Sequence, residues 1–230
     1  MKTIGLIGGM SWESSVEYYR IINEEVRIKL GGLHSAKCLL YSVDFEEIER
    51  YQQEGKWEKA GEVLGDVAQS LEKAGADFIV ICTNTMHKVV HQIEGKISTP
   101  ILHIADATTV QIKKQGFSTV GLLGTKYTME QDFYKSRIES SGIKVVIPNE
   151  CDREVVNNII FEELCLGKIS QTSRECYKQV IEKLIKNGAE GIILGCTEIG
   201  LLVKDEDSTV PLFDTTTIHA LEAVNKSMGK

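Results

Sequence analysis

Two stretches of this chain repeat one pattern at a constant spacing of 113 residues. Residues 71–83 and 184–196 align without a gap, and each runs from a helix end through a glycine and an acidic residue into an apolar strand. A glycine after the last helical turn and a continuous apolar run are typical of a helix followed by a buried parallel strand. A second match, residues 5–8 with 121–124, has a spacing of 116 residues. The chain is therefore predicted to contain two copies of one α/β unit.

The alternation of apolar strands with longer amphipathic stretches predicts βαβ units and mostly parallel sheets. We expect an α/β fold of two pseudosymmetric domains, 1–98 with 212–230 and 99–211, each a sheet flanked by helices, with the active site in the cleft between them. The predicted strands are 4–7, 38–43, 78–82, 101–104, 119–123, 144–147 and 191–194. The predicted helices are 12–30, 57–73, 129–141, 154–166, 171–187 and 216–226, with a short one opened by Asp44 and Glu47 as a capping box.

Charge and hydropathy exclude several classes of partner. The 230 residues carry a net charge of −7 with acidic and basic side chains well mixed, so the basic face that nucleic acids require is not expected. No apolar run approaches the ~20 residues that cross a bilayer, and the apolar run at the N-terminus is too short for a signal peptide. The six cysteines lack metal-type spacing. We expect a cytoplasmic protein with reduced thiols and neither a membrane nor a nucleic-acid partner.

The repeat pairs two short polar segments that follow the strands. Thr83 lies opposite Cys196, and Asn84-Thr85 lies opposite Thr197-Glu198. Ligands of parallel sheets bind at the carboxyl ends of the strands. A thiol and a hydroxyl on opposite faces of a small substrate suit proton transfer at a carbon between them. The pKa of a thiol can fall toward 7 beside helix N-termini or cations, whereas threonine is a poor base that can donate a proton when activated.

Each of these residues also has a structural interpretation. A cysteine at the end of a buried strand is more often part of the core, and the threonines could be helix N-caps. Gly8-Gly9-Met10 lacks the spacing of a dinucleotide-binding loop and fits an ordinary turn. His87 and His91 lie one helical turn apart, but no third metal ligand is evident, which favours surface or core roles for both. The residues alone leave these alternatives open.

Three motifs together resemble the aspartate/glutamate racemases, a family of cofactor-independent enzymes with two pseudosymmetric α/β domains. They are the opening Lys2–Met10, the central Thr83–His87 and Gly195–Glu198. The family usually has cysteine where Thr83 stands. A bacterial subgroup with aspartate/glutamate or broader amino-acid specificity is more similar still, since it shares Ser11-Trp12-Glu13-Ser14 and Cys82–His87.

The resemblance implies a set of site residues. Thr83 and Cys196 are expected to be the two acid/base groups. The residues expected to bind substrate are Met10, Gln52, Asn84, Thr85, Thr197 and Glu198. Cys165 stands where the family has a substrate-binding lysine. The resemblance also implies that the protein uses neither pyridoxal phosphate nor a metal and forms a homodimer.

The leading hypothesis is an amino-acid racemase acting on aspartate and glutamate. Cys196, as thiolate, would remove the α-proton from one face, and Thr83 would protonate the intermediate from the other. Asn84-Thr85 and Thr197 would hold the α-carboxylate, while Glu198 would bind the ammonium group or poise Cys196. One alternative is a decarboxylase or cis-trans isomerase of a small dicarboxylic acid on the same fold. Another is a degenerate protein that only binds an acidic metabolite.

Overall fold

The computed structural model describes residues 1–229 and divides into two compact units. Unit 1 contains Met1–Ile104 and the segment from His219 onward, and unit 2 contains Ala105–Ile218. The unit boundaries fall at 104 and 218, where the sequence prediction has 98 and 211. Lys230, the last residue of the predicted first domain, lies outside the described residues.

Unit 1 is built on a four-stranded parallel sheet. Its strands are β1 (Ile4–Gly8), β2 (Cys38–Ser42), β3 (Phe78–Ile81) and β4 (Ile101–Leu102), in the order β2-β1-β3-β4. Its helices are α1 (Trp12–Leu30), α2 (Phe45–Gln53), α3 (Trp57–Lys73) and α4 (Val90–Glu94), with a 3₁₀ helix at Thr85–Val89. Ile4 pairs with Cys38 on one side and Phe78 on the other, so β1 lies in the middle of the sheet.

Unit 2 has the same strand order, β6-β5-β7-β8, and is parallel throughout. Its strands are β5 (Thr119–Gly124), β6 (Lys144–Val146), β7 (Gly191–Gly195) and β8 (Leu212–Asp214). Its helices are α6 (Lys126–Glu130), α7 (Asp132–Glu139), α8 (Glu150–Glu162), α9 (Gln171–Lys186) and α10 (Ile199–Leu202), with 3₁₀ helices at Leu164–Leu166 and Asp205–Asp207. Two further helices, α5 (Ile104–Gln115) and α11 (Thr215–Ser227), contain the unit boundaries.

The sequence repeat corresponds to a structural repeat at the level of single residues. Gly75 and Gly188 follow equivalent helices and share a φ of +94°, a conformation that glycine adopts without strain. Gly5 pairs with Ile79, and a Cβ on this glycine would lie 2.7 Å from the Ile79 Cδ1. Gly121 pairs with Ile192 and shows the same 2.7 Å approach. The two central strand pairs therefore have one register and one close contact in common.

The acidic residue that precedes each buried strand has the same role in both copies. The Asp77 carboxylate accepts a hydrogen bond from the Thr3 backbone N–H at 2.6 Å, and the Glu190 carboxylate accepts one from the Thr119 N–H at 2.8 Å. In return, the backbone N–H of Asp77 and of Glu190 donates to the carbonyl of the same threonine, at 2.9 Å in each unit. These reciprocal bonds fix where the central strands begin, and hence where they end.

The sheet of unit 1 is covered on both faces, as the uniformly apolar strands predict. Ile7, Ile79 and Ile81 pack on one face in a cluster with Leu64 and Leu71 of α3. The alternate strand residues pack on the other face with side chains of α1 and α11, in a cluster that includes Leu6, Phe78, Val80, Cys82, Tyr18, Ile22, Ala220 and Val224. This burial holds the carboxyl ends of β1 and β3 at fixed positions.

Several element predictions differ from the structure. The strand expected at 101–104 ends at Leu102 because α5 begins at Ile104, and neither α5 nor β8 was predicted. The helix expected at 129–141 is divided into α6 and α7 by Gln131, whose backbone is extended with φ −89° and ψ 154°. The helix expected at 154–166 begins at Glu150 because the Asn149 side chain accepts from the Asp152 N–H as its N-cap.

None of the helices within residues 1–229 combines the length and apolarity needed to cross a bilayer.

Candidate active site

The segment Thr83–Thr85 follows β3 in unit 1, and all three side chains are buried. Thr83 is 9% exposed, and its backbone N–H donates to the Ile81 carbonyl at 2.9 Å, which turns the chain sharply out of the strand. The 3₁₀ helix begins two residues later. Thr83 therefore occupies the carboxyl end of a central parallel strand, where ligands of such sheets bind.

Two side chains fix the backbone on either side of Thr83. The Ser14 hydroxyl, at the start of α1, donates to the Cys82 carbonyl at 3.1 Å. The His87 Nδ1 lies 2.8 Å from the Thr83 carbonyl, and its Nε2 accepts from the Ile104 backbone N–H at 3.3 Å. Because Nε2 is the acceptor, Nδ1 carries the proton and donates it to Thr83. His87 is thus a neutral imidazole with both nitrogens engaged.

The surroundings of His87 oppose its protonation. Burial lowers the pKa of His87 well below its ordinary value, and the nearby imidazoles of His103 and His219 lower that pKa further. The His87 and His103 ring centroids are 4.4 Å apart. His91, one turn later, is exposed and pairs with Glu94, so the two histidines do not share a site.

Met10 and Gln52 both lie next to Met86, which follows this segment. Met10 follows β1 and is buried in one cluster with Ile48 and Met86. The Gln52 side chain is 5% exposed, and its Nε2 donates to the Met86 sulfur at 3.1 Å. Met86 directly follows Thr85, so α2 contributes a polar side chain close to the Thr83–Thr85 segment.

The loop between β1 and α1 requires glycine at position 9. Gly9 has a φ of +91°, and a Cβ there would lie 2.2 Å from the Val43 carbonyl oxygen. Its N–H donates to the Ser15 hydroxyl at 2.8 Å, and the Ser15 hydroxyl donates to the Ser11 carbonyl at 2.9 Å. This tight turn places Met10 and Ser14 at the same end of the sheet as Thr83.

In unit 2, Cys196 follows β7 and contacts a carboxylate. Its thiol donates a hydrogen bond to Oε2 of Glu198 at 2.9 Å, and the Thr197 hydroxyl donates to the same oxygen at 2.9 Å. Cys196 is 8% exposed and Glu198 is 2% exposed. The thiol, the hydroxyl and the carboxylate thus form one buried proton-sharing group.

This environment favours the thiol over the thiolate. Burial raises the pKa of Cys196 well above its ordinary value, and the negative charge of Glu198 raises it further. Cys165, in the 3₁₀ helix at Leu164–Leu166, acts in the same direction when ionised. The expected lowering of the Cys196 pKa toward neutrality is therefore not found in the free protein. The helix that follows, α10, has only four residues, and burial is the largest effect.

The backbone around Cys196 is held from the start of α11. The Thr215 hydroxyl donates to the Leu194 carbonyl at 2.7 Å, and the Thr216 hydroxyl donates to the Thr197 carbonyl at 3.4 Å. A Cβ at Gly195 would lie 2.8 Å from the Leu123 carbonyl oxygen, so this strand end requires glycine. Cys196 is consequently a short side chain on a firmly held turn.

Within each unit, the structure brings the expected residues together. In unit 1, Met10 and Gln52 pack at Met86, next to the Thr83–Thr85 segment, and in unit 2 Cys196 contacts Glu198, to which Thr197 also donates. Cys82 lies in the apolar core. No group of three or more histidine, cysteine or acidic side chains within residues 1–229 is arranged to hold a metal ion.

Sequence reasoning missed the roles of Ser14 and His87. Both lie inside motifs that were recognised, but their partners are the backbone groups of residues 82, 83 and 104. A cavity of about 520 Å³ in unit 2 lies elsewhere, since its lining includes Leu194, Gly200 and Asp214 but none of the expected site residues.

The chain matches the model of the Asp/Glu/Hydantoin racemase family over residues 7–223. A solved structure from Yersinia pestis, assigned to the Asp/Glu racemases, is 59% identical and superposes with a TM-score of 0.92, covering 99% of this chain and 100% of that one. An aspartate racemase homologue from Pyrococcus horikoshii is 37% identical, with a TM-score of 0.86 over 99% and 100% of the two chains. The broad-specificity amino-acid racemase RacX of Bacillus subtilis is 28% identical over 70% of this chain and 69% of that protein.

The family match covers nearly the whole chain and includes both strand ends described above. The solved structures reproduce the two-unit α/β architecture over the full length. The chain therefore belongs to the Asp/Glu/hydantoin racemase family and is an isomerase.

Proposed function

We propose that this protein is a cofactor-independent amino-acid racemase that exchanges the proton at Cα, with aspartate and glutamate as leading substrates. The observation that carries the proposal is the equivalence of Thr83 and Cys196. Each follows the third strand of its unit, on a backbone held by hydrogen bonds from neighbouring elements. The proposal requires both side chains to reach one substrate, one from each face of Cα.

In the proposed reaction, the Cys196–Glu198 pair first redistributes one proton. The thiol proton moves to the Glu198 carboxylate, to which it is already hydrogen-bonded. This leaves a thiolate and a neutral carboxylic acid, with no change in total charge. The cationic ammonium group of the substrate favours this step by stabilising the thiolate electrostatically.

The thiolate then removes the α-proton, and the C–H electron pair remains on Cα as a carbanion stabilised by the α-carboxylate. Thr83 donates its hydroxyl proton to the opposite face, which completes the inversion. The Thr83 alkoxide then recovers a proton from solvent and Glu198 releases one to solvent, which restores the thiol and the carboxylate. The reverse direction uses the same groups with exchanged roles. Because threonine is a much weaker acid than a thiol, we expect slow turnover or unequal rates in the two directions, with an equilibrium constant of one.

Substrate binding is proposed for the short polar residues at each strand end. Asn84, Thr85 and Thr197 hold the α-carboxylate, with Met10 and Gln52 beside the substrate. Aspartate and glutamate lead because a relative is named an aspartate racemase homologue, while RacX is named for broad specificity. Cys165 is half-buried and offers no positive charge to a side-chain carboxylate. We therefore propose that the protein also accepts amino acids without an acidic side chain.

The proposal extends to the cellular setting. We propose that the protein acts in the cytoplasm as a homodimer and supplies D-amino acids. The family resemblance supports the dimer. Light scattering tests it, since a dimer has twice the mass of one chain and a monomer has the mass of one chain.

A proton-exchange screen tests the proposed function. The protein is incubated with each L- and D-amino acid in deuterated water, and loss of the Cα–H signal and inversion are followed by NMR. We expect exchange and inversion of aspartate or glutamate, and no inversion with Cys196→Ser or Thr83→Ala. Cys151→Ser is the matched control, because Cys151 is exposed on α8 and outside the site. Unchanged inversion in either site variant would refute the assignment.

A further inference from the structure

Three buried histidines lie together, and one of them, His87, contacts the backbone of Thr83. The His87 ring centroid lies 4.4 Å from that of His103 and 6.0 Å from that of His219. The His219 Nε2 lies 2.8 Å from the Leu102 carbonyl, and its Nδ1 lies 2.8 Å from the Tyr18 hydroxyl. A carbonyl can only accept, so His219 is protonated at Nε2 and accepts the tyrosine proton at Nδ1.

Two of these imidazoles hold opposite sides of the turn between β4 and α5. His219 binds the Leu102 carbonyl, at the end of β4, and His87 binds the Ile104 N–H, at the start of α5. The second nitrogen of His87 binds the Thr83 carbonyl. His87 is therefore a direct bridge between the β4–α5 turn and the residue placed at the reacting carbon.

We infer that His87 is a positioning residue, whose neutral imidazole aims the Thr83 hydroxyl by tying the Thr83 carbonyl to the start of α5. The inference rests on the proposed function, in which Thr83 is one of the two proton-transfer groups. A carbonyl two bonds from the Cα of Thr83 sets the direction of its side chain, and small misplacements of catalytic groups are costly.

The bridge depends on the neutral state of His87. A protonated ring would present an N–H to the Ile104 N–H, so that hydrogen bond would break. His103, His219 and Tyr18 are the titratable groups that face the cluster from the neighbouring elements. Burial and the imidazoles of His103 and His219 lower the pKa of His87 by more than its hydrogen bonds with the Thr83 and Asn84 backbone raise it.

Two isosteric variants separate the halves of the bridge. An asparagine amide reaches the position of the imidazole Nδ1, so His87→Asn keeps a donor for Thr83 and loses the Ile104 contact. A glutamine amide reaches the position of Nε2, so His87→Gln keeps an acceptor for Ile104 and loses the Thr83 contact. Each variant loses one hydrogen bond, and comparable unfolding midpoints are expected. His91→Asn and His91→Gln are matched controls on the exposed side of the same segment.

The readout is exchange and inversion at Cα in deuterated water, measured from each enantiomer. We expect inversion by His87→Gln to fall about 100-fold, the scale set by a misplaced catalytic group. Exchange without inversion is retained for the enantiomer that Cys196 deprotonates, as in Thr83→Ala. We expect both His91 variants to invert substrate at close to the original rate. His87→Asn keeps the donor to Thr83 but loses its anchor at Ile104, so we expect it to lose part of the inversion rate and clearly less than His87→Gln.

Contrary outcomes point to different failures. Equal loss of inversion in His87→Asn and His87→Gln, or a loss of exchange from both enantiomers that follows the folded fraction, would assign His87 a purely structural role. An original protein that exchanges no α-proton would instead overturn the proposed function, and the positioning role with it.

Discussion

Glu198 has two opposing effects on Cys196. Its negative charge disfavours a second negative charge on the neighbouring sulfur, which raises the thiol pKa. The same carboxylate is the hydrogen-bond acceptor of the thiol proton and so provides a place for that proton to go. In the proposed reaction, Glu198 would therefore keep the thiol protonated at rest and allow its deprotonation when the ammonium group of the substrate is bound.

The substitution Glu198→Gln separates these effects. Glutamine has no charge, so the pKa of Cys196 should fall and the thiolate fraction at a given pH should rise. Alkylation of Cys196 by iodoacetamide, followed by mass spectrometry across a pH series, should therefore shift to lower pH. Racemisation should fall, by about 100-fold or more, because the carboxamide cannot take up the thiol proton.

Alkylation of Cys151, which is exposed on α8, provides the internal control and should be unchanged. If Glu198→Gln moved the alkylation profile of Cys196 to higher pH, the charge of Glu198 would not be what raises the thiol pKa.

Thr83 is the weaker acid of the proposed pair, which suggests a gain-of-rate substitution. In Thr83→Cys the hydroxyl is replaced by a thiol with an ordinary pKa near 8.5, a far better proton donor to a carbanion. We expect faster racemisation and more nearly equal rates from the two enantiomers, measured by polarimetry. Thr83→Ser keeps the hydroxyl and should remain active. A serine variant as inactive as Thr83→Ala would show that the hydroxyl is not the donor.

At the scale of elements, the repeat predicts more of the fold than periodicity does. The apolar runs of β1, β3, β5 and β7 and the full lengths of α1 and α3 could be predicted from local pattern. The strand β8 is short and half-exposed at the sheet edge, so its local signal is weak. Yet Ile192 donates to the Pro211 carbonyl as Ile79 donates to that of Pro100, both at 2.9 Å. Extending the alignment through these prolines would have indicated both β8 and α5.

The candidate site likewise has a part that the sequence predicts, the positions of its residues, and a part that it does not, the contacts that hold them. Residues within two positions of a strand end, such as Thr83 and Cys196, could be located from the repeat alone. The contacts that hold them could not, because Ser14 and Cys82 are 68 residues apart and His87 and Ile104 are 17 apart. Such contacts arise from tertiary packing, which strand periodicity does not encode. The raised pKa of Cys196 likewise depends on burial, which the isolated motif does not reveal.

The β1–α1 turn offers a test of steric demand at an element boundary. Gly9→Ala combines a positive φ with a Cβ placed 2.2 Å from the Val43 carbonyl oxygen. Gly75→Ala has nearly the same φ, +94° against +91°, but nothing within 4 Å of the added Cβ. Gly75→Ala should cost about 1 kcal/mol of unfolding free energy from backbone strain, and Gly9→Ala at least about 2 kcal/mol more.

Urea unfolding followed by circular dichroism measures both values. Equal losses for Gly9→Ala and Gly75→Ala would show that the turn relaxes around the added methyl group, so that only the backbone conformation matters.

For the whole molecule, the buried histidines link folding to pH. Burial lowers the pKa of His219 from its ordinary 6.5 to about 4, and that of His87 is lowered in the same sense. Between pH 6.5 and about 4, His219 of the unfolded chain binds a proton and His219 of the native chain does not. The free energy of unfolding therefore decreases as the pH falls through this range. The carboxylates affect stability at lower pH than the histidines do. Hydrogen bonds from Ser98 and Thr99, for example, hold the pKa of Glu72 at about 2, below its ordinary 4.5.

Because the histidines titrate at higher pH than the carboxylates, the loss of stability due to His219 can be measured above pH 5. Lowering the pH from neutral to about 5 should cost about 2 kcal/mol of unfolding free energy through His219, with His87 adding to the loss. In His219→Gln the amide can still donate to the Leu102 carbonyl but cannot be protonated, so the pH dependence should become shallower by that amount. His91→Gln, on the surface, should leave it unchanged. A His219→Gln protein as acid-sensitive as the original would mean that His219 is not the group that takes up a proton on unfolding. Urea unfolding of the three proteins at both pH values decides between these results.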